Sequence, residues 1–304
     1  MISFLQIDLP ALAVGSLAAL VCALIGNFLV LTRQSMLGDA MGHVVLPGIV
    51  IAFMIAASTA TWVMLSGAFA AALFAALFVE FLRRQAGVEP SAALGAVFTA
   101  MFALGVVLLE RSGVARTSFD VHHILFGNIE TAIWPAATGL SSLFDTTALA
   151  SLPPQLGRLG FGLLIVTVCV VLFFKELRVV SFDPEFARTL GISPQWIGAI
   201  VVALAALAAV VSLSATGVIL LVAMMVCPPA TARMLTDDLK TQVLLSLAFA
   251  LASGILGYAI AVLLPLAFGY EISLGAAGTI AVVAGIFQLI AMVAGPKRGS
   301  PRNA

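Results

Sequence analysis

The chain has 304 residues, 62% of them hydrophobic and only 9% charged, and its Lys and Arg balance its Asp and Glu to a net charge of zero. A soluble domain carries roughly 25% charged residues, so a water-facing globular surface is excluded. So is the basic footprint of a nucleic-acid binder. A mean hydropathy of +1.19 makes the chain an all-α integral membrane protein, one polytopic membrane domain over 1–304.

Apolar runs of about 20 residues mark the spans. They fall near 9–31, 41–58, 60–82, 91–110, 159–175, 194–212, 215–234, 241–268 and 274–294, which predicts about nine helices, eight at the fewest. The first run has no basic segment before it and leads straight into further spans, so no cleavable signal is expected. Cys22, Cys169 and Cys227 lie far apart in apolar runs and read as small buried side chains. Stripes of small residues such as SLAALVCALIG and LGAAGTIAVVAG suit close helix packing in lipid. Lys and Arg orient the chain. With Arg33, Arg83, Arg84, Lys175, Arg178, Arg188, Arg233, Lys240 and the tail Lys297, Arg298 and Arg302 inside, only Arg111, Arg116 and Arg158 remain outside. The N-terminus is then outside, and 295–304 is a cytoplasmic tail.

The second span opens with LGDAMGHVVLPG, residues 37–48. Asp39 and His43 are i and i+4, so a helix puts them on one face, about 5–6 Å apart at Cβ. Ionisable residues at that depth mark cavities and ion paths, and oxygen plus nitrogen donors suit zinc, manganese or iron. Gly38 and Gly42 leave room beside the pair. Pro47, one turn on, frees backbone carbonyls. A helix beginning near Asp39 would instead make that residue an N-cap, with His43 bonded inside the bundle. Glu89, His122, His123 and Glu271 are the other acids and histidines placed to approach a path.

Residues 111–158, with Trp134, Pro135, Pro153 and Pro154, are too broken for one span and read as an irregular extracytoplasmic connection. The segment 177–195 interrupts two spans on the cytoplasmic side. Within it Asp183 can cap, Pro184 fits the first turn, Glu185 favours a helix N-terminus, Phe186 and Leu190 form a short apolar face, and Gly191 ends the helix. So short an amphipathic helix fits a partner's groove, or rests on lipid. Pro228 and Pro229 remove two donors from the following run, as a gate or as a fixed packing kink.

Four stretches, in this order, carry a family likeness: RQSMLGDAMGHVVLPGI (33–49), SFDVHHILFGNIE (118–130), VVSFDPEFARTLGIS (179–193) and ATGVILLVAMMVCPPATARM (215–234). Over about 10–295 the chain resembles the membrane-spanning permeases of ABC-type importers of zinc, manganese or iron. The resemblance implies a dimer, with a second copy or a sister permease, around a central path. It implies cytoplasmic ATP-binding subunits as the motor, an extracytoplasmic metal-binding protein as the donor, and a multi-pass location in the lipid of a bacterial plasma membrane. It places Asp39 and His43 on metal-contacting positions for transported Mn2+, Zn2+ or Fe2+, with no permanently bound cofactor. It also makes Pro184, Glu185, Phe186, Ala187, Leu190 and Gly191 the coupling stretch. The chain departs from the family at 131–158, which looks like an insertion. It departs again at YEISLGAAG (270–278), which lacks a proline before the last helix, and at Pro229, where alanine is common.

Two other classes fit less well. A secondary transporter would call for more buried charge or inverted repeats, and none is evident. An intramembrane enzyme would need a His-Glu-x-x-His or a nucleophile–base pair, and the sequence has neither. It also has no Gly-x-x-x-x-Gly-Lys-Ser/Thr loop, so ATP hydrolysis belongs to another chain.

Overall fold

The computed structural model describes residues 4–56, 58, 60–111, 129–136, 142, 148–149, 151–267 and 274–295. Among them every regular element is helical. A π-helical turn, Phe4–Asp8, leads into α1 (Leu9–Leu31), followed by α2 (Met36–Ala56), α3 (Thr61–Ala86) and α4 (Pro90–Arg111). A 3-10 turn at Ile129–Thr131 precedes α5 (Pro154–Leu172). Two short helices follow, α6 (Phe174–Phe182) and α7 (Pro184–Thr189). Then come α8 (Pro194–Leu235), α9 (Leu239–Ala267) and α10 (Ala276–Ala294). Eight of these helices are long and apolar enough to cross a bilayer.

α1 is the axis of the bundle. It packs on α8, α9 and α5 and is buried along most of its length. Small residues allow close packing here: a Cβ on Gly254 of α9 would meet Ser16 of α1, and one on Gly257 of α9 would meet Ile280 of α10. Polar groups inside this core bond to one another. Asn27 Nδ2 donates to Ser246 Oγ (2.6 Å) and to the Ala23 carbonyl (2.7 Å), and Gln242 Nε2 donates to Asn27 Oδ1 (3.2 Å). Near the outer end, Tyr258 donates to Asp8 (2.9 Å). Trp134 is buried against Leu5 and Ala148 there, and its indole N–H donates to the Ala148 carbonyl at 2.8 Å.

The helix α8 is not straight. Its 42 residues would run about 63 Å as one rod, yet Arg233 near its end lies 5.6 Å above the ring of Phe182. Phe182 is separated from the start of α8 only by the short α7. Both ends of α8 therefore lie on one face of the bundle. There Lys175, Arg178, Asp237 and Leu239 also line a common cleft, and Gly295 approaches the Met234 carbonyl. The reversal is at Gly217, whose φ of 77° and ψ of 175° are the only non-helical angles within the helix; glycine reaches such a φ without a Cβ penalty. The two halves, 194–216 and 218–235, are about 35 and 27 Å long. Each limb has about the length of a bilayer crossing, so among the described residues the eight apolar helices offer nine such lengths, and the expected spans 194–212 and 215–234 are the two limbs of one bent helix.

Other expectations shift by a turn or more. α2 begins at Met36, not 41, so Asp39 lies in its first turn and does not precede it. The break expected at Pro228 and Pro229 is absent, because backbone angles stay helical there. Pro229 deprives the Met225 carbonyl of its helical donor. That oxygen closes on Gly26 of α1, where any Cβ would strike it, so packing absorbs the defect. In α9, Pro265 leaves the Ala261 carbonyl free, and Leu274 N–H donates to it at 3.2 Å. The segment 177–195 holds most of α6 as well as the expected short helix. Of the irregular connection 111–158, the ends are helical: α4 reaches Arg111 and α5 starts at Pro154. His122, His123, Glu271 and the tail from 296 lie outside the described residues.

Candidate functional site

A left-handed turn at Arg33 (φ 59°) reverses the chain between α1 and α2. The carboxylate of Asp39, in the first turn of α2, is favoured there by the positive end of the helix dipole. Gly38 and Gly42 hold this helix tightly to the descending limb of α8. A Cβ on Gly38 would come within 2.7 Å of Met225 Sδ, and one on Gly42 within 3.1 Å of Val218. Further along, Gly48 meets Gly67 of α3, and Gly105 of α4 presses on the ring of Pro47. Lacking an N–H, Pro47 leaves the His43 carbonyl without a helical donor.

One residue round from the glycines, Asp39 and His43 turn toward α4. The imidazole packs edge-on against Phe98 and Phe102, with ring centroids 4.9 and 5.4 Å away. His43 Nε2 lies 3.8 Å from Asp39 Oδ1, too far for a hydrogen bond. One cation with bonds of about 2.0–2.2 Å can bridge that gap. The side chains are 25% and 48% exposed in this single chain. They form an open edge of the bundle, beside an apolar void of ≈ 10 Å³ too small for an ion with its water. Among the described residues no group of three His, Cys, Asp or Glu converges, so the pair supplies two donors of an incomplete shell. Glu89 is engaged elsewhere: its carboxylate accepts from the Ala92 N–H at 3.0 Å and caps α4.

The segment 182–191 folds locally as its sequence dictates. Asp183 caps α7, accepting from Phe186 N–H at 2.9 Å, and Pro184 takes the first helical position. Arg188 pairs with Glu185 at 2.7 Å, and Gly191 ends the turn with φ 77°. Phe186 and Leu190 are exposed, while Ala187 is fully buried and seats the helix on its own bundle. Between this segment and the start of α9 lies a cleft of ≈ 550 Å³ lined by Lys175, Arg178, Val179, Phe182, Asp183, Phe186, Asp237 and Leu239. Sequence reasoning misses α6 and the packing of Arg233 over the Phe182 ring. The signal for Arg233 is its place at the end of an apolar run, which by itself speaks only to the orientation of the chain. Asp238 caps α9 through the Thr241 N–H (3.0 Å) and hydroxyl (2.9 Å). Those two bonds, then the charges of Arg178 and Lys240, hold its carboxyl below its usual range.

Residues 4–134 and 148–295 match the sequence model of the ABC 3 transport family. Positions 135–147, inside the stretch that reads as an insertion, are left unmatched. The chain is 34% identical over 297 residues to the manganese transport system membrane protein MntC of Halalkalibacterium halodurans, covering 98% of this chain and 89% of that protein. It is 32% identical over 291 residues to the zinc transport system membrane protein TroD of Treponema pallidum, covering 95% and 74%. Among solved structures it resembles PsaBC from Streptococcus pneumoniae in complex with Fab, with a TM-score of 0.74 and 27% identity over 95% of this chain and 91% of that one.

Proposed function

The chain belongs to the ABC 3 transport family, and on that premise we propose that it is the membrane permease of an ATP-driven importer that carries Mn2+ or Zn2+, or Fe2+, past Asp39 and His43. The relatives named for manganese and zinc transport support the cargo class. The observation that carries the path is the pair itself: an acid and an imidazole 3.8 Å apart, half-open, and not bonded to each other. A carboxylate and a neutral imidazole with free lone pairs hold a divalent cation in passing. Two donors bind it loosely enough to release it. A second copy, or a sister permease, set against this open edge would add donors and enclose the path. Cytoplasmic ATP-binding subunits would drive the cycle through 182–191, and an extracytoplasmic protein would deliver the ion. Metal ligands bind in their deprotonated forms, so acid should weaken capture.

The test is Mn2+ uptake into liposomes holding the assembled transporter. Uptake should require ATP and fail with a non-hydrolysable analogue. It should collapse in Asp39→Ala and His43→Ala while both variants stay folded. Full uptake in both variants would remove the pair from the path.

A further inference from the structure

The descending limb of α8 touches both functional regions. Its inner end carries Arg233, whose guanidinium lies 5.6 Å above the ring of Phe182, the last residue of α6, and 3.5 Å from Asp237. Its upper part carries Val218, Leu221 and Met225, which fill the space beside Gly42 and Gly38. Those glycines are the residues immediately before His43 and Asp39. The limb therefore joins the cytoplasmic segment at one end to the backbone under the polar pair at the other.

Three features make this limb a lever. It turns at Gly217, where the helix is already interrupted and a φ of 77° suits glycine alone. Its far end meets α6 through one guanidinium over the Phe182 ring, while the ionic contact with Asp237 lies within the limb's own C-terminal end and orients that guanidinium, a geometry lysine only partly reproduces. Its contact with α2 has no slack, since even a methyl group on Gly38 would come within 2.7 Å of Met225 Sδ. Rigid packing transmits displacement and does not absorb it. At 1.5 Å per residue Met225 lies about 12 Å from Gly217 and Arg233 about 24 Å. A shift at Arg233 therefore arrives at Gly38 at about half its size. A movement of the cytoplasmic segment by about 2 Å becomes about 1 Å at the pair, enough to make or unmake a bound geometry.

We infer that Arg233 is a positioning residue: through the limb 218–235, swinging about Gly217, it ties movement of the Phe182 segment to the position of the α2 turn that carries Asp39 and His43. The inference rests on the import function proposed above. It concerns how ATP turnover reaches the path, not whether the path exists. Its signature is uncoupling, a change in ions moved per ATP with the motor still running.

The experiment uses the assembled transporter in liposomes and measures ATP hydrolysis and Mn2+ uptake on the same sample. Arg233→Ala should lower Mn2+ taken up per ATP by about tenfold, the scale expected for a misplacement of an ångström or less, with ATP turnover kept. Arg233→Lys should recover part of the ratio. A double variant guards against simple misfolding. Phe182→Cys with Arg233→Cys should be uncoupled while reduced and regain coupling when a short bifunctional thiol reagent bridges the two positions. An unchanged ratio in Arg233→Ala, a parallel loss of hydrolysis and uptake, or a bridged protein that stays uncoupled would each overturn the lever. A wild-type transporter that hydrolyses ATP and moves none of Mn2+, Zn2+ and Fe2+ would instead overturn the import function itself, and the two failures are read from different samples.

Discussion

Two consecutive helices carry polar groups into an apolar bundle and treat them in opposite ways. In α1, 78% of the most apolar stretch is buried, and Asn27, at zero exposure, bonds to Ser246, Gln242 and the Ala23 carbonyl. In α2, Asp39 and His43 are partly open and leave each other unbonded at 3.8 Å. Amides and hydroxyls satisfied within a bundle act as glue between helices. Ionisable groups left unbonded at a helix end in lipid still carry a cost, less than the roughly 2.5–3.5 kcal/mol of an aspartate at the centre of a span, and that cost persists only where another use offsets it. The difference separates structural polarity from polarity kept for a ligand.

The widest effect should come from the open pair. Asp39→Ala or His43→Ala should reduce Mn2+ uptake by about 100-fold, the upper range for disturbing a metal site. Thermal unfolding in detergent should stay within about 0.5 kcal/mol of the parent, as for a surface change. Loss of stability in step with uptake would put the pair in the same class as Asn27 and erase the contrast.

The next two changes fall on α1. Gly26→Ala drives a Cβ into the Met225 carbonyl, a backbone atom that cannot rotate away. Destabilisation of about 3 kcal/mol is expected, read as a lowered thermal midpoint. Asn27→Leu leaves Gln242 Nε2 without its acceptor and Ser246 without one donor. The expected cost is smaller, about 1–2 kcal/mol, and uptake should fall only as far as folding does. An uptake defect in fully folded Asn27→Leu would show that the satisfied cluster also serves transport.

Much of this arrangement is legible in the sequence, for reasons that differ by region. Spans are set by hydropathy and their direction by Lys and Arg, both local quantities, so α1, α3 and α4 fall close to their expected bounds. Asp183, Pro184 and Gly191 define α7 because capping and left-handed termination depend on neighbours only. The bend in α8 lies away from the prolines that suggest it. Proline announces a defect wherever it stands, but the Met225 carbonyl freed by Pro229 is covered by Gly26, a contact between residues far apart in the chain. Gly217 carries the real reversal and looks like any other glycine in a small-residue stripe. For the same reason α2 starts five residues early, since the turn at Arg33 needs a backbone angle the sequence does not advertise. The i, i+4 spacing puts Asp39 and His43 on one face. Which way that face turns is decided by Gly38 and Gly42, whose partners lie in α8.

The smallest effect sharpens the contrast between two carboxylates near helix N-termini. Asp39 has no hydrogen bond from its own first turn, whereas Asp238 accepts two from Thr241 and feels Arg178 and Lys240, which depress its pKa. A depressed carboxylate contributes stability that is complete above its unfolded-state pKa and lost only as pH falls through the lower folded value. The Asp238 cap therefore survives mild acid and begins to fail below the ordinary carboxylate range near about pH 4. Asp238→Ala, in a fully exposed position, should lower the thermal midpoint less than either α1 change, and that small deficit should be constant from about pH 8 to about pH 5. A deficit that instead changed between about pH 8 and about pH 5 would show that the Thr241 bonds and the charges of Arg178 and Lys240 do not set the Asp238 cap.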